Sequence, residues 1–224
     1  MPMPKGYSFL KAAAIPEAWI TAYQLVIKIA NIQPEETALI FAAASGVGTS
    51  LIQLCKWRGA NSIAVASSED KIKHCKKLGS FDGINYRQTP MFSQRVKLIT
   101  DGEGVDVILD CILGDFFKEN LDCLGLDSRW VIFGTMGGIR IQEANMIKLL
   151  AKRGSILTST LRNRSDSYKA ELVSDVTRDL IPEFENGVLD PLVNTEYKMS
   201  EASQALRYLE QNLNIGKIVL KCDL

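Results

Sequence analysis

The chain has 224 residues, of which 46% are apolar and 23% are charged, and its formal net charge is zero. This composition is typical of a globular protein with one large domain, or one domain and an attached segment. The balanced charge provides no electrostatic attraction to nucleic acid or to acidic membranes, so we expect neither as a partner.

The cysteines and the N-terminus bear on the compartment. The chain has five cysteines, an odd number, and no two of them form a C-x-x-C pair; they are Cys55, Cys75, Cys111, Cys123 and Cys222. Prolines and lysines interrupt the first 16 residues before any apolar run is long enough for a signal peptide or a membrane span. We therefore expect buried or free thiols in a reducing compartment, and a cytoplasmic protein.

The chain contains a single histidine, His74, which the stretch EDKIKHCKKLG places in the middle of a predicted helix. Ser-His-Asp and Cys-His mechanisms would both depend on it. A zinc site needs three or four clustered ligands, and no spacing in the sequence provides them. We predict no metal site, a surface position for His74, and chemistry that comes from a bound cofactor.

Apolar strands alternate with helices from the N-terminus to residue 161. A helix is predicted from Pro16, with its apolar residues at 3.6-residue spacing up to Ala30. Strands follow at 37–43, 62–66, 83–86, 105–110, 129–134 and 155–161, with intervening helices at 49–58, 69–78, 91–100, 116–124 and 143–154. The strands are nearly continuous apolar runs, which is typical of a parallel sheet covered on both faces. The fold class is therefore α/β, a doubly wound Rossmann-type sheet in the order 3-2-1-4-5-6.

The last part of the chain departs from this alternation. Helices are predicted at 168–184 and 200–212, and a final strand at 216–222. That strand has no place in the preceding series, so we expect it to pair with something else, such as a second domain. We divide the chain into a dinucleotide-binding domain with a leading helix, residues 1–190, and a C-terminal segment, residues 191–224.

The stretch LIFAAASGVGTSLIQLCK, residues 39–56, joins the first strand to the helix after it. In a Rossmann-type sheet this turn carries the fingerprint G-x-G-x-x-G and presents helix N–H groups to a diphosphate. The aligned positions here are Ala43, Ser45 and Gly48, with Gly46 between the last two. Only the third glycine of the fingerprint is present, so a purely structural tight turn stays open as the alternative.

The end of the second predicted strand distinguishes between the two nicotinamide cofactors. An acidic residue there binds the ribose hydroxyls of NAD, whereas NADP sites supply cations instead. The stretch AVASSEDK places Ser67 at the strand end and Lys71 one turn into the helix, which favours NADPH. Alternatively, Ser67 or Ser68 caps the helix, whose first turn contains Glu69 and Asp70.

Two other nucleotide-dependent classes are excluded. A short-chain dehydrogenase needs Tyr-x-x-x-Lys after the fifth strand, and the only such spacing, Tyr7 to Lys11, precedes the first. A methyltransferase needs an acidic residue where Ser67 stands.

Seven blocks of the sequence resemble, in the same order, the zinc-independent quinone oxidoreductases of the medium-chain dehydrogenase/reductase superfamily, the zeta-crystallin-like proteins. The blocks are AAIPEAWITAYQL, AAASGVGTSLIQL, KKLGSFDGINY, GVDVILDCILG, RWVIFGTMGG, KRGSILTSTLRNR and NIGKIVL. The resemblance implies hydride transfer from NADPH to a small quinone, and a homodimer formed through an edge strand of the Rossmann sheet.

The resemblance also implies cofactor contacts on the phosphate and adenine side. The diphosphate would lie along Ser45, Gly46, Val47 and Gly48. The 2′-phosphate and the adenosine ribose would be held by Ser67, Lys71 and Tyr86. The adenine path would be flanked by Cys111 and Ile112.

On the nicotinamide side, the resemblance implies a second group of contacts. Thr21 would face the cofactor near the nicotinamide. The pocket for the ring would be lined by Phe133, Gly134 and Met136, with Leu161 and Asn214 at its outer edge. No residue of this chain is assigned a catalytic role.

The sequence departs from the family in three places. The family often has glycine where Ser67 stands, and Leu113 replaces a glycine on the adenine side. Tyr86, which the resemblance assigns to the cofactor, has an alternative role as a core residue of its strand.

A barrel-like catalytic domain precedes AAIPEAW in the family, and the family's last strand returns to that domain. The alternative function is therefore a catalytically incomplete NADPH-binding fragment, or a dimerisation module without turnover.

Overall fold

The computed structural model describes residues 1–141 and 144–222, and its centre is a parallel sheet. The strands are β1 (Thr37–Ile40), β2 (Asn61–Ala66), β3 (Asp82–Asn85), β4 (Val105–Asp110), β5 (Leu124–Ile132) and β6 (Ser155–Thr158). Their order is β3-β2-β1-β4-β5-β6, and every neighbouring pair is parallel. The predicted Rossmann-type sheet is confirmed.

Helices connect the strands and cover both faces of the sheet. They are α1 (Phe9–Ala13), α2 (Ala18–Tyr23), α3 (Gly46–Trp57), α4 (Glu69–Leu78), α5 (Phe92–Ile99), α6 (Phe117–Cys123), α7 (Ile147–Ala151) and α8 (Asp166–Glu185). On one face Trp19 of α2 packs edge-on against Phe184 of α8, with ring centroids 4.7 Å apart. On the other face Phe41 packs against Phe92 of α5 at 5.5 Å. The two apolar clusters bury the central part of the sheet on both faces, as in other parallel sheets.

Several predicted boundaries are wrong by a few residues. β1 ends at Ile40 rather than 43, and α3 begins at Gly46 rather than 49, because Ser45 caps the helix: its Oγ accepts a hydrogen bond from the N–H of Gly48 at 3.0 Å. β6 ends at Thr158 rather than 161. The helix predicted at 143–154 is Ile147–Ala151, and residue 143 lies outside the described residues.

The sequence analysis predicts one regular leading α-helix, and this prediction is wrong. After α2 the backbone continues as a π-helix over Gln24–Ile29. Gln24, Leu25 and Val26 are all buried in this wider turn, and the Gln24 side chain donates a hydrogen bond to the Tyr168 hydroxyl at 3.2 Å. Because the polar Gln24 interrupts the spacing of the apolar residues, an analysis based on 3.6-residue periodicity could not predict the π-helical turn.

The C-terminal part forms a second, small sheet. Strand β7 (Val193–Lys198) and strand β8 (Lys217–Lys221) pair in parallel, and α9 (Ala202–Glu210) connects them. The last strand therefore lies outside the six-stranded sheet, as predicted, but it has a partner in this chain that the sequence analysis did not assign. The N–H of Gly216 donates to the carbonyl of Ala44 at 2.8 Å, which brings the start of β8 against the turn after β1.

Candidate cofactor-binding site

A cavity of about 610 Å³ lies at the carboxyl ends of the central strands. In a doubly wound sheet a ligand binds outside these ends, where the strand order reverses, which here is between β1 and β4. The structure brings seven of the predicted cofactor residues to the cavity wall: Ser45, Ser67, Lys71, Tyr86, Ile112, Met136 and Asn214.

The turn between β1 and α3 forms one end of the cavity. The first N–H groups of a helix have no partner within the helix, and in α3 Gly46 and Val47 carry two of them. Together with the helix dipole, such groups favour an anion. A Cβ on Gly48 would lie 2.4 Å from the carbonyl oxygen of Ala42 and 2.6 Å from that of Ala43. Only glycine therefore allows α3 to approach the turn this closely.

The start of β8 packs over the same turn. A Cβ on Gly46 would lie 2.3 Å from Cδ of Lys217, so the alkyl chain of this lysine covers the glycine. Its ammonium lies 3.8 Å from the carboxylate of Glu17. The C-terminal segment thus contributes directly to the shape of the cavity at the turn between β1 and α3.

A buried cation lies beyond the end of β2. Lys71 is only 8% exposed, and its ammonium donates to the backbone oxygen of Asn212 at 2.7 Å and to Oδ1 of the same residue at 2.6 Å. Nδ2 of Asn212 is 3.3 Å from Oγ of Ser67, to which it donates. Burial lowers the pKa of Lys71, and the nearby guanidinium of Arg87 lowers it further. Two cations next to a hydroxyl are a suitable donor set for a phosphate dianion.

The two serines after β2 have separate roles. Ser68 is the N-cap of α4, since its Oγ accepts from the N–H of Lys71 at 3.4 Å, and Glu69 and Asp70 occupy the first turn. Ser67 is not the cap, and its side chain lines the cavity. The capping alternative is therefore correct for Ser68, while Ser67 stays available to a ligand.

Aromatic rings form the far side of the cavity. The ring of Phe116 lies 5.4 Å from that of Tyr86 and 5.4 Å from that of Phe41, measured between centroids. Tyr86 is half-buried and packs against the apolar cluster on this face, so it has both the core position and the cavity position considered above. Flat apolar surfaces of this kind suit an adenine ring.

The loop after β4 is held by one buried carboxylate. Oδ1 of Asp110 accepts from the N–H groups of Ile112 at 2.7 Å and Leu113 at 3.0 Å. Oδ2 accepts from Nδ2 of Asn120 and from Nε1 of Trp130, each at 3.0 Å. Burial raises the pKa of Asp110, although the four donors favour its ionised form. These bonds hold Leu113 at φ +65°, a conformation that favours glycine.

The remaining predicted residues do not belong to the cavity wall. Three of them follow Ser45 in the first turn of α3: Gly46, Val47 and Gly48. Thr21 is half-buried in α2. The others lie near the ends of β4, β5 and β6: Cys111, Phe133, Gly134 and Leu161. A Cβ on Gly134 would lie 2.9 Å from the carbonyl oxygen of Cys111, so this glycine allows close strand packing. Their cofactor contacts stay predictions.

Sequence reasoning missed several residues that line the cavity, including Phe116 and Asn212, and also Arg87, whose charge acts on Lys71. Arg87 was detectable, because it comes two residues after the end of β3, and β3 lies next to β2, which Ser67 follows. Asn212 follows α9 in a left-handed conformation, φ +55°, where asparagine is common. Its contact with Ser67, 145 positions away in the chain, left no signal in the sequence.

The thiols and the histidine lie as predicted. The cysteines are free, with Cys222 exposed and the other four buried. Burial raises the pKa of Cys55, Cys75 and Cys111 to about 12, so these thiols are protonated at neutral pH. His74 is exposed on α4, with Nδ1 2.9 Å from the carbonyl oxygen of Asp70.

Residues 1–141 and 144–222 contain neither a metal-binding cluster nor a membrane-spanning helix. No three His, Cys, Asp or Glu side chains in these ranges are grouped as they would be around a metal ion. Within the same ranges, every helix is too short or too polar to cross a membrane.

More than half of the chain matches the model of a known protein family. The family model described as zinc-binding dehydrogenase matches residues 46–177, from the start of α3 into α8. The chain belongs to the zinc-binding dehydrogenase family. It is thus an oxidoreductase-family chain with an NAD(P)-binding Rossmann-type domain, within the medium-chain dehydrogenase/reductase superfamily.

The proteins that this chain resembles include polyketide synthases and dehydrogenases. The chain is 33% identical over 219 residues to the phenolphthiocerol synthesis polyketide synthase type I Pks15/1 of Mycobacterium marinum, covering 97% of this chain and 10% of that protein. Among solved structures, a NAD-dependent alcohol dehydrogenase has a TM-score of 0.86 and 31% identity, covering 99% of this chain and 61% of the other.

Two further solved structures bear on the reaction. The Escherichia coli quinone oxidoreductase complexed with NADPH has a TM-score of 0.85 and 30% identity, covering 98% of this chain and 67% of the other. The CurK enoyl reductase has a TM-score of 0.83 and 29% identity, covering 99% and 65%. The chain spans about a tenth of the length of the first curated relatives it matches and under two thirds of the first structural neighbours.

Proposed function

We propose that this chain binds NADPH in the cavity at the carboxyl ends of β1, β2 and β4. The observation that carries the proposal is the position of the buried Lys71, with Ser67 and Arg87, where the 2′-phosphate would lie. The diphosphate would lie at the first turn of α3, on the N–H groups of Gly46 and Val47 beside Ser45, with Gly48 allowing the approach. The adenine would lie against Tyr86 and Ile112, next to Cys111.

The nicotinamide end of the cofactor would lie toward β5 and β6. Thr21, Phe133, Gly134 and Met136 would surround it, with Leu161 and Asn214 at the outer edge. The bound nicotinamide supplies a hydride to the acceptor. The role of this chain is to orient the cofactor and to exclude water with an apolar wall.

The acceptor that we propose is a quinone. The resemblance of the seven sequence blocks supports it, as does the similarity to a quinone oxidoreductase that was crystallised with NADPH. A chain that turns over should oxidise NADPH in the presence of 1,2-naphthoquinone. Under the alternative, an NADPH-binding unit without turnover, the chain should bind NADPH and oxidise none of it.

A second candidate reaction is the reduction of an enoyl thioester. The similarity to the CurK enoyl reductase and to polyketide synthases favours it, since a conjugated C=C accepts a hydride as a quinone does. The two candidates are separated by comparing the rate of NADPH oxidation with 1,2-naphthoquinone and with crotonyl-CoA. Turnover of crotonyl-CoA alone would replace the quinone proposal.

For assembly, we propose a homodimer formed through the free edge of the sheet. β6 is the outermost strand on that side, and its backbone groups have no further strand of this sheet to pair with. Sedimentation at micromolar concentration measures the mass directly. Pro substituted for Ile156, in the middle of β6, should give a monomer if the edge is the interface.

Lys71→Met is expected to weaken NADPH binding by about 1–3 kcal/mol, the range for a lost charge-assisted hydrogen bond, and to leave NADH binding nearly unchanged. The measurement is the dissociation constant of each cofactor from nicotinamide fluorescence. Methionine keeps most of the unbranched side chain and removes the ammonium, with its charge and its hydrogen-bond donors.

Lys73→Met is the matched control for Lys71→Met. Lys73 is exposed on the same helix and pairs with Asp70, outside the cavity. Its substitution should change neither constant. Equal losses of NADPH and NADH in Lys71→Met would refute the assignment of this lysine to the 2′-phosphate.

A further inference from the structure

The cation assigned to the 2′-phosphate has a hydrogen-bond partner within the chain. Two oxygens of Asn212, the backbone carbonyl and Oδ1, accept hydrogen bonds from the ammonium of Lys71 at 2.7 and 2.6 Å. An ammonium has three N–H donors, so one residue occupies two of them. The side-chain amide of the same asparagine also donates to Ser67 at 3.3 Å. Asn212 thus binds both residues that are expected to hold the phosphate.

Asn212 is itself exposed, but the two residues that it binds are buried. Lys71 is 8% exposed and Ser67 is 9% exposed, so water has little access to the ammonium. A buried ammonium needs acceptors, and α4 and β2 provide none for it among the hydrogen bonds of the described residues. The loop between α9 and β8, which contains Asn212, supplies them instead.

We propose that Asn212 is a specificity-determining residue, which competes with a 2′-phosphate for the hydrogen-bond donors of the Lys71 ammonium. This inference rests on the proposed function. The phosphate dianion replaces the Asn212 oxygens as acceptor at the Lys71 ammonium, so binding includes the loss of those contacts. A ligand without a 2′-phosphate leaves the contacts in place. Asn212 therefore reduces the affinity for 2′-phosphorylated ligands without affecting the others.

The test uses two nucleotides that differ at the 2′ position, 2′,5′-ADP and 5′-AMP, and measures their dissociation constants by calorimetry. Asn212→Gly removes the amide and keeps the left-handed backbone at φ +55°, which glycine adopts readily. We expect Asn212→Gly to bind 2′,5′-ADP about tenfold more tightly, the effect of one lost competing hydrogen bond to a charged group, with 5′-AMP unchanged.

Asn212→Asp is expected to act in the opposite direction. Its carboxylate would form an ion pair with Lys71 and repel the phosphate, so 2′,5′-ADP should bind at least about tenfold more weakly, again with 5′-AMP unchanged. A purely structural role of Asn212 in the loop would change both nucleotides together and in the same direction in both variants. Gln211→Gly, next to it in the same loop, controls for loop flexibility and should change neither constant.

The outcomes separate this inference from the proposed function. If the unsubstituted chain does not prefer 2′,5′-ADP to 5′-AMP, the NADPH assignment is wrong and this inference with it. If the unsubstituted chain prefers 2′,5′-ADP but Asn212→Gly leaves the ratio of the two constants unchanged or lowers the preference, the NADPH assignment stands and the role of Asn212 is refuted. Opposite shifts in Asn212→Gly and Asn212→Asp would support both.

Discussion

Gly48→Ala is expected to destabilise the chain by about 3 kcal/mol and to abolish NADPH binding. The added Cβ would lie 2.4 Å from the carbonyl oxygen of Ala42 and 2.6 Å from the carbonyl carbon and oxygen of Ala43. These are backbone atoms at the end of the central strand, so neither rotation of a side chain nor a small shift relieves the clash. Overpacking of a core by one methyl group costs about 1–3 kcal/mol, and a clash with backbone belongs at the upper end.

The loss of binding in Gly48→Ala has a separate cause from the loss of stability. α3 has to move away from β1 to make room for the methyl group, and its first N–H groups move with it. The measurements are urea unfolding and an NADPH titration at a temperature where the variant is folded. Val47→Ala, which only removes atoms from the neighbouring position, should keep most of the affinity. A folded Gly48→Ala chain with unchanged affinity would contradict the assignment of the turn to the diphosphate.

Asp110→Asn is expected to cost about 3 kcal/mol, although the two side chains have almost the same shape. Both carboxylate oxygens accept two hydrogen bonds each, from the backbone of Ile112 and Leu113 and from Asn120 and Trp130. An asparagine keeps one acceptor and directs an NH2 group at two buried donors. Each buried donor left without an acceptor costs about 1–3 kcal/mol.

The measurement for Asp110→Asn is the free energy of unfolding, with Trp130 fluorescence as a local reporter. Asp115→Asn, an exposed carboxylate in the following loop, should change stability by less than about 0.5 kcal/mol. Because Ile112 lines the cavity on the adenine side, 5′-AMP should also bind more weakly to Asp110→Asn. Equal stability of the two variants would show that the four hydrogen bonds at Asp110 contribute little.

The sequence predicted those parts of the fold that depend on local patterns. β4 was predicted with both ends correct, because its apolar run is bounded by Gly104 and by the polar Asp110. α4 was also predicted with both ends correct, since Ser68 caps its start and Gly79, at φ +118°, ends it. The strand order follows from the alternation of strands and helices and from the handedness of their connections.

The parts that sequence reasoning missed depend on contacts between distant segments. β7 alternates between half-buried and exposed residues and is stabilised by its pairing with β8, so its own sequence shows no apolar run. The boundary between β1 and α3 lies in a stretch of small residues, where the cap at Ser45 decides it. The hydrogen bond between Lys71 and Asn212 requires the loop after α9 to contact α4. No local sequence pattern predicts that contact.

The central claim is that the first turn of α3 binds the diphosphate, and the buried Lys71 the 2′-phosphate, of one NADPH molecule. A crystal structure of the chain with NADPH tests it most directly. We expect the diphosphate on the N–H groups of Gly46 and Val47, and the 2′-phosphate within hydrogen-bonding distance of the Lys71 ammonium. An ordered NADPH whose 2′-phosphate lies away from Lys71, or an empty cavity at saturating NADPH, would contradict the account.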